Sequence, residues 1–463
     1  NGTARWSAPG FELPNPPYLD ITAFVDENGN AVYDDGETSS STIQGALDAA
    51  DAGTYKDVYV LPGTYNETIS IPADISLKST DGAASTTIAG AGPTPVTVSG
   101  DGVTIDGFTL SNPDGTSVIV SSGNSNLTIR NNTVTDVGTA APAGGDEYDV
   151  HAVAVVGSAE TTNVTIEANQ FSNIGTVDND WGGSQAIAVG WSNNSNNVSG
   201  LLIQNNTISG IRASTDPWAS GGDPHGQGAY GIIINLGGQT ISPQILNNEI
   251  SDLEGLWAHA IGLEGDTPDA LVQGNTVTNL RDQKTALGDP DAAAVMVEAN
   301  PSADTVTITE NSFTDLSVGV RNEMVATVDA QGNWWGDTDP SDDVYNPNGG
   351  SVSYAPFWSE DYVEDDHTSP WTWHVDDSGY IQDAIDKALA GDTIYVGAGN
   401  YPEQVEVNKD VTLAGMNNPD SGDAAVVEGK INIRVDGVAV SRFTIVNTGN
   451  AGDSCHKSKY QSR

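Results

Sequence analysis

Short runs in which every second residue is apolar, separated by Asn, Gly, Ser and Asp, fill most of this chain. LTIRN from Leu127, VTIEA from Val164, LLIQN from Leu201 and VTITE from Val306 are examples. Alternation over five to seven residues with high Val and Ile content predicts strands rather than helices. One Asn recurs at a fixed place after these runs: Asn132, Asn169, Asn206, Asn248, Asn275, Asn311 and Asn333. An apolar or aromatic residue stands two positions after each: Val134, Phe171, Ile208, Ile250, Val277, Phe313 and Trp335. The spacings are 37, 37, 42, 27, 36 and 22 residues. A core unit of about 22 residues with insertions of variable length describes a solenoid coil carrying loops on one side. A second strand family runs alongside: HAVAVVG from His151, QAIAVGW from Gln185, YGIIINL from Tyr230, HAIGLEG from His259, AAVMVEA from Ala293 and LSVGVRN from Leu316. Two or three such strands per coil, stacked on copies of themselves, predict an all-β chain: a right-handed parallel β-helix. The Asn column then reads as structural. Asn tolerates the left-handed conformation a tight turn needs, and stacked amides can hydrogen-bond from coil to coil.

Around this centre the chain divides into five parts. Residues 1–40 are a leader whose Pro-rich start is aperiodic. Its segment DENGNAVYDDGE places Asp26, Asn28, Asn30, Asp34 and Glu37 at positions 1, 3, 5, 9 and 12 of an EF-hand-like loop, as a Ca²⁺ ion requires of oxygen ligands. Ala31 stands where such loops carry Gly, and a plain acidic turn is the alternative. Residues 41–358 form the first β-helix, opened by a short helix in which Ile43, Ala46, Leu47 and Ala50 share one face and cap the first coil. Residues 359–377 are an acidic linker, and 378–450 begin a second, truncated β-helix. There the opening phrase returns from Tyr380: a helix, a strand ending in GNY where the first has GTY, and a Glu two residues on, Glu403 matching Glu67. Trp334, Trp335, Phe357 and Trp358 are expected to plug the last coil of the first β-helix. Residues 451–463 are out of character and read as a non-native tail; they hold Cys455 and the basic Lys457, Lys459 and Arg463.

Charge narrows the setting. Asp and Glu number 63 against 16 Lys and Arg, a net charge of −47, and the acid is spread over the whole chain. Many hydrated carboxylates suit a surface adapted to concentrated salt, and a Ca²⁺-binding secreted protein from an ordinary habitat is the alternative. A nucleic-acid partner is excluded by the lack of a basic track. One cysteine builds no disulfide framework, and no apolar run reaches membrane-spanning length. Eight Asn-x-Ser/Thr sequons, at Asn1, Asn66, Asn126, Asn131, Asn163, Asn193, Asn197 and Asn205, suit an exported glycoprotein, extracellular or at the cell surface.

The recurring strand, Asn turn, strand and xAIxV strand resemble the right-handed parallel β-helix repeat proteins of the pectin-lyase-like superfamily. Within it the GNWWG phrase from Gly332 is similar to the closing phrase of NosD-type and surface β-helix proteins of archaea and bacteria. The resemblance implies the fold. It does not imply one activity, because the superfamily hosts lyases, esterases, hydrolases, epimerases, adhesins and scaffolds. GTYNE and GNYPE are similar to the opening of pectin methylesterases, whose paired-Asp motifs this chain lacks. The copper delivery that a NosD likeness implies finds no cluster of His, Met and Cys.

Stacking turns alignment columns into rows of neighbours about 4.8 Å apart. Val153, Ile187, Ile232, Ile261, Val295 and Val318 are expected to point inward. The rows on either side, from Ala152 and from Ala154, are expected to point outward as a smooth face that holds a polysaccharide or accepts the insertions. The next outward row ends in Glu264, Glu298 and Arg321, an acid and base beside a cation or a surface ion-pair ladder. His151, Gln185, Tyr230 and His259 open the strands with inward parity, which suggests corner packing. Asp223, Pro224 and His225 resemble the Asp-Pro-His core of mannuronan epimerases and related alginate lyases, which implies Tyr230 as proton donor. Catalytic candidates are therefore His225, Tyr230, His259, Glu264, Glu298 and Arg321. The expected function is a secreted or cell-surface, salt-adapted β-helix that binds polysaccharide or forms a surface structure. The alternative is a lyase or C5-epimerase acting on a uronate glycan.

Overall fold

The computed structural model describes residues 21–90, 92–140, 149–177, 182–190, 196–215, 228–234, 238–282, 291–359, 370–416 and 424–446. Three long sheets, of fourteen, nine and ten strands, run through the first β-helix. Each coil gives one strand to each sheet in turn, so Leu127–Arg130, Thr133–Val137 and Val150–Val156 lie in the first, second and third sheets, and their successors stack on them in parallel. The inward side chains merge into one core from Ala23 to Phe357.

Asn132 to Asn333 sit at the turn between the first and second sheets, all buried. Asn132 Nδ2 donates to Asn169 Oδ1 at 3.1 Å and to the Ile105 carbonyl at 3.1 Å, while its backbone N–H donates to the same Oδ1 at 3.0 Å. That pattern repeats coil after coil to Asn333. The left-handed conformation is not theirs, however. It falls on the residue before each: Asn131, Ala168, Asn205, Asn247, Gly274, Glu310 and Gly332, with φ between 52° and 75°. Each Asn side-chain carbonyl accepts from the preceding coil, and the turn's left-handed residue is the one before it. Two further left-handed columns mark each coil, one through Asn126, Asn163 and Gly200 and one through Asp136, Asn173 and Gly210.

Helix α1, Ile43–Ala52, buries Ile43, Ala46, Leu47 and Ala50 over the first coil. Thr42 Oγ1 accepts from Gly45 N, and the Glu67 carboxylate accepts from Ile43 N at 3.0 Å and Gln44 N at 3.3 Å. Helix α2, Ile381–Lys387, has Tyr380 at its cap, which offers no side-chain bond; Glu403 accepts from Ile381 N at 2.8 Å and Gln382 N at 3.0 Å. The repeated Glu is thus a capping group for unpaired amides at a helix start, and the phrase it closes is architectural.

A second set of parallel strands follows α2: Thr393–Val396, Gly399–Tyr401 and Gln404–Val407, with their stacked successors. The two β-helices meet through an aromatic seam rather than a plug. Trp335 and Phe357 pack on the first core, but Trp358 belongs to the second core, and Trp334 packs against it. Phe357–Trp358 pairs antiparallel with Thr372–Val375, which ties the two cores together.

Candidate functional site

The third sheet differs in register and facing from expectation at three places. Val153, Ile187, Ile232, Ile261 and Val295 stack as expected, but their successor is Val320, with Val318 opposite Ala293. The alternation in LSVGVRN fits either register, and only the hydrogen bonds decide it. Ala152, Ala186, Ala260 and Ala294 face the main core, because the strands bend there and two consecutive residues turn inward. The row of His151, Gln185, Tyr230 and His259 faces outward: Tyr230 packs with Ala188, Ile233 and Met296 in a small cluster outside the core, with Trp257 against it. The Tyr230 ring packs over Gly262, where a Cβ would make ordinary van der Waals contact with it at 3.4 Å.

These corrections gather most of the candidates. The Tyr230 and His259 rings meet edge to face at 5.3 Å, and Trp257 Nε1 donates to the Tyr230 hydroxyl at 2.8 Å. The Glu264 carboxylate lies beside the Tyr230 hydroxyl. Burial, then the Glu264 charge, pushes the Tyr230 pKa well above the ordinary phenol range. Burial likewise raises Glu264, against the opposing pull of His259. Glu264 Oε1 is sealed from solvent and has no hydrogen-bond partner among the described residues. His259 Nε2 lies 3.1 Å from Asp291 Oδ1.

Arg321 is not in the glutamate row. It stacks opposite Met296 and Tyr345, with its guanidinium 4.7 Å above the Tyr345 ring. Glu323 takes its place, so Glu264, Glu298 and Glu323 follow the strand ends of three successive coils. Arg321 reaches Asp291 at 3.4 Å and Glu323 at 2.6 Å, so its charge is already matched twice. Asp291, Trp257 and Glu323 were missed in the sequence. Asp291 had a legible signal: it follows a long insertion and immediately precedes the strand Ala292–Val297. His225, with Asp223 and Pro224, lies outside the described residues.

Two acidic clusters stand elsewhere. In the N-terminal loop, Asp26 accepts backbone bonds from Asn28, Gly29 and Ala31, and Asn28 and Asn30 both donate to Asp34 Oδ2, at 2.8 and 2.7 Å. Glu37 closes the loop onto Asp34 N and Glu27 N. Ala31 adopts φ 61°, the left-handed conformation such loops assign to Gly, so the substitution has not changed the backbone path. The loop is thus closed by its own hydrogen bonds, with Asp26 and Glu37 accepting from backbone amides and Asp34 from the two Asn side chains, and its three carboxylates are not gathered on one point as those of the second cluster are. Near the seam, Asp337, Asp342 and Asp343 bring carboxylate oxygens within 4.8 Å of one another, and burial with these like charges pushes Asp343 up to about 7.

With this geometry in place, the chain's class is plain. It belongs to the right-handed β-helix family: the family described as a right handed beta helix region matches residues 73–334, more than half of the chain. The stacked Asn turns and three-sheet coils are those of such a helix. Among curated proteins no sequence matches. Among solved structures, the A-module of a mannuronan C-5 epimerase of Azotobacter vinelandii is similar at 14% identity, over 88% of this chain and 95% of that one, with a TM-score of 0.37. The Dettilon tailspike protein is similar at 12% identity, over 90% and 66%, with a TM-score of 0.41. A family 6 polysaccharide-lyase alginate lyase is similar at 12% identity, over 87% and 71%, with a TM-score of 0.23. Likenesses this weak do not say what this chain does.

Proposed function

We propose that the chain is a secreted or cell-surface, salt-adapted β-helix protein that binds polysaccharide along the outward face of its third sheet. The observation that carries this reading is the row Glu264, Glu298 and Glu323 on three successive coils, beside the Tyr230 and Trp257 rings. Glu298 is the exposed acceptor of that row, between Glu264, which is turned toward Tyr230, and Glu323, whose oxygens already accept from Arg321 and Asn348; with the half-buried Trp257 ring on the same sheet it offers a glycan a hydroxyl acceptor and an apolar face. The net charge of −47 supports the salt adaptation. Affinity electrophoresis against a panel of neutral and uronate polymers tests it. Retardation by at least one polymer, weakened in Glu298→Gln, is expected; free migration through every polymer would overturn it.

A second reading is a lyase or C5-epimerase on a uronate glycan. The Tyr230 hydroxyl beside Glu264, with His259 and Asp291 adjoining, supplies groups for acid–base chemistry. Binding without turnover fits better, because Arg321 is held by two carboxylates and has no charge left for a uronate, and Glu264 Oε1 is sealed. Ultraviolet absorbance of an unsaturated product, lost in Tyr230→Phe, would establish the lyase; product NMR would establish the epimerase.

The Asp26–Glu37 loop is proposed as a Ca²⁺ site, held by Asp26, Asn28, Asn30, Asp34 and Glu37. Calorimetric titration with Ca²⁺ should give one site that Glu37→Gln weakens. The absence of heat in the unmodified protein would reject it.

A further inference from the structure

At the seam between the two β-helices lies a partly open pocket of about 170 Å³. Its walls are the indoles of Trp358, Trp371 and Trp373, each at most 5% exposed. Trp358 meets Trp371 at 4.4 Å and 50°, and Trp373 at 5.1 Å and 67°, so the planes enclose a corner rather than a flat stack. Buried Asp392 fixes that corner: Oδ1 accepts from Trp371 N at 2.8 Å, and Oδ2 accepts from Trp373 Nε1 at 3.0 Å and Leu389 N at 2.8 Å.

The rim is chemically mixed. Leu389 is an apolar side chain 55% exposed to water. Lys387, at the last turn of α2, and Glu310, whose Oε2 accepts from Gln273 Nε2 at 2.6 Å, also line the pocket; among the described residues no carboxylate forms an ion pair with Lys387, although the chain carries 63 acidic groups. An ammonium left unmatched in so acidic a protein, beside a rigid aromatic corner, is arranged for a ligand with one anionic group and one apolar face. The volume is well below the roughly 300–1,000 Å³ of sites for drug-sized ligands, which limits the occupant to about one ring.

We propose that this pocket binds a single acidic sugar unit, its ring against the indoles and its carboxylate on Lys387. The pocket stands apart from the third-sheet face and does not depend on the reading given to that face.

Tryptophan emission reports on it directly. Titration of the full chain with glucuronate at moderate salt should give a saturable change, with glucose binding roughly tenfold more weakly, as expected for loss of one charge-assisted contact. Lys387→Met should weaken glucuronate binding by a similar factor and leave the glucose response unchanged. Lys387→Arg should retain binding. Glu298→Gln, on the other face, should leave the titration unaltered, which separates failure here from failure of glycan binding there. No saturable change with either sugar, or equal affinities for the two, would overturn the proposal.

Discussion

At the scale of single residues, the buried asparagines and the strained positions before them make opposite predictions. Asn206 accepts from the backbone and side chain of Asn169 and donates to Asn248 and the Ile166 carbonyl. Asn206→Ala leaves those buried groups unpaired and should cost about 2–4 kcal/mol, read as a lower midpoint in urea unfolding. Ala168, in the left-handed conformation at φ 54°, bears a Cβ where none is favoured. Ala168→Gly should therefore stabilise the protein by up to about 1 kcal/mol in the same assay. Asp343 predicts a pH effect. Its pKa rises from 3.8 unfolded to about 7 folded. The folded state thus holds the extra proton between those values, and stability falls as pH rises through that window. Asp343→Asn should raise the melting temperature at pH 8 and make no difference below pH 4.

Among the elements, the two helices share one capping device from outside the helix. Glu403→Ala removes the acceptor for two amides of α2, which has no other side-chain cap, and should cost about 1–2 kcal/mol. Faster hydrogen exchange at Ile381 and Gln382 would show it. Elements of this kind were legible because their signals are local: α1 from four apolar positions on one face, the strands from alternation, the coil from one Asn. Facing was less legible. The bend that turns Ala152 and its neighbours inward is set by backbone geometry across coils, and no pattern within one strand reveals it. The same cause misplaced the His259 row, while the Val318 error arose from a run that alternates equally well in two registers. Asp291, just before the next strand, joins His259 to Arg321 only through space.

For the whole molecule, charge and seam dominate. A net charge of −47 on one chain is a self-repulsion that salt screens. The melting temperature should rise steadily with added KCl up to molar concentrations; a flat or falling response would count against salt adaptation. Because Trp358 lies in the second core while the adjoining Phe357 lies in the first, the seam should couple the two β-helices in unfolding. Phe357→Ser should split one calorimetric transition into two.

The asparagine ladder also has a direction. Every amide oxygen accepts from the coil before it, from Phe108 N at one end to Asn333 at the other, and every amide as far as Asn311 donates to the coil after it. Such a chain is indifferent to how many links it contains. The stretch from Asn311 to Gly332 is one complete link, bounded by the same joint on both sides. Duplicating it in the gene would add a rung without rewriting any existing contact type, whereas a cut elsewhere in the coil length would leave an amide facing the wrong neighbour. Inheritance by whole coils, with loops free to vary in length, is the mode of growth that this arrangement permits.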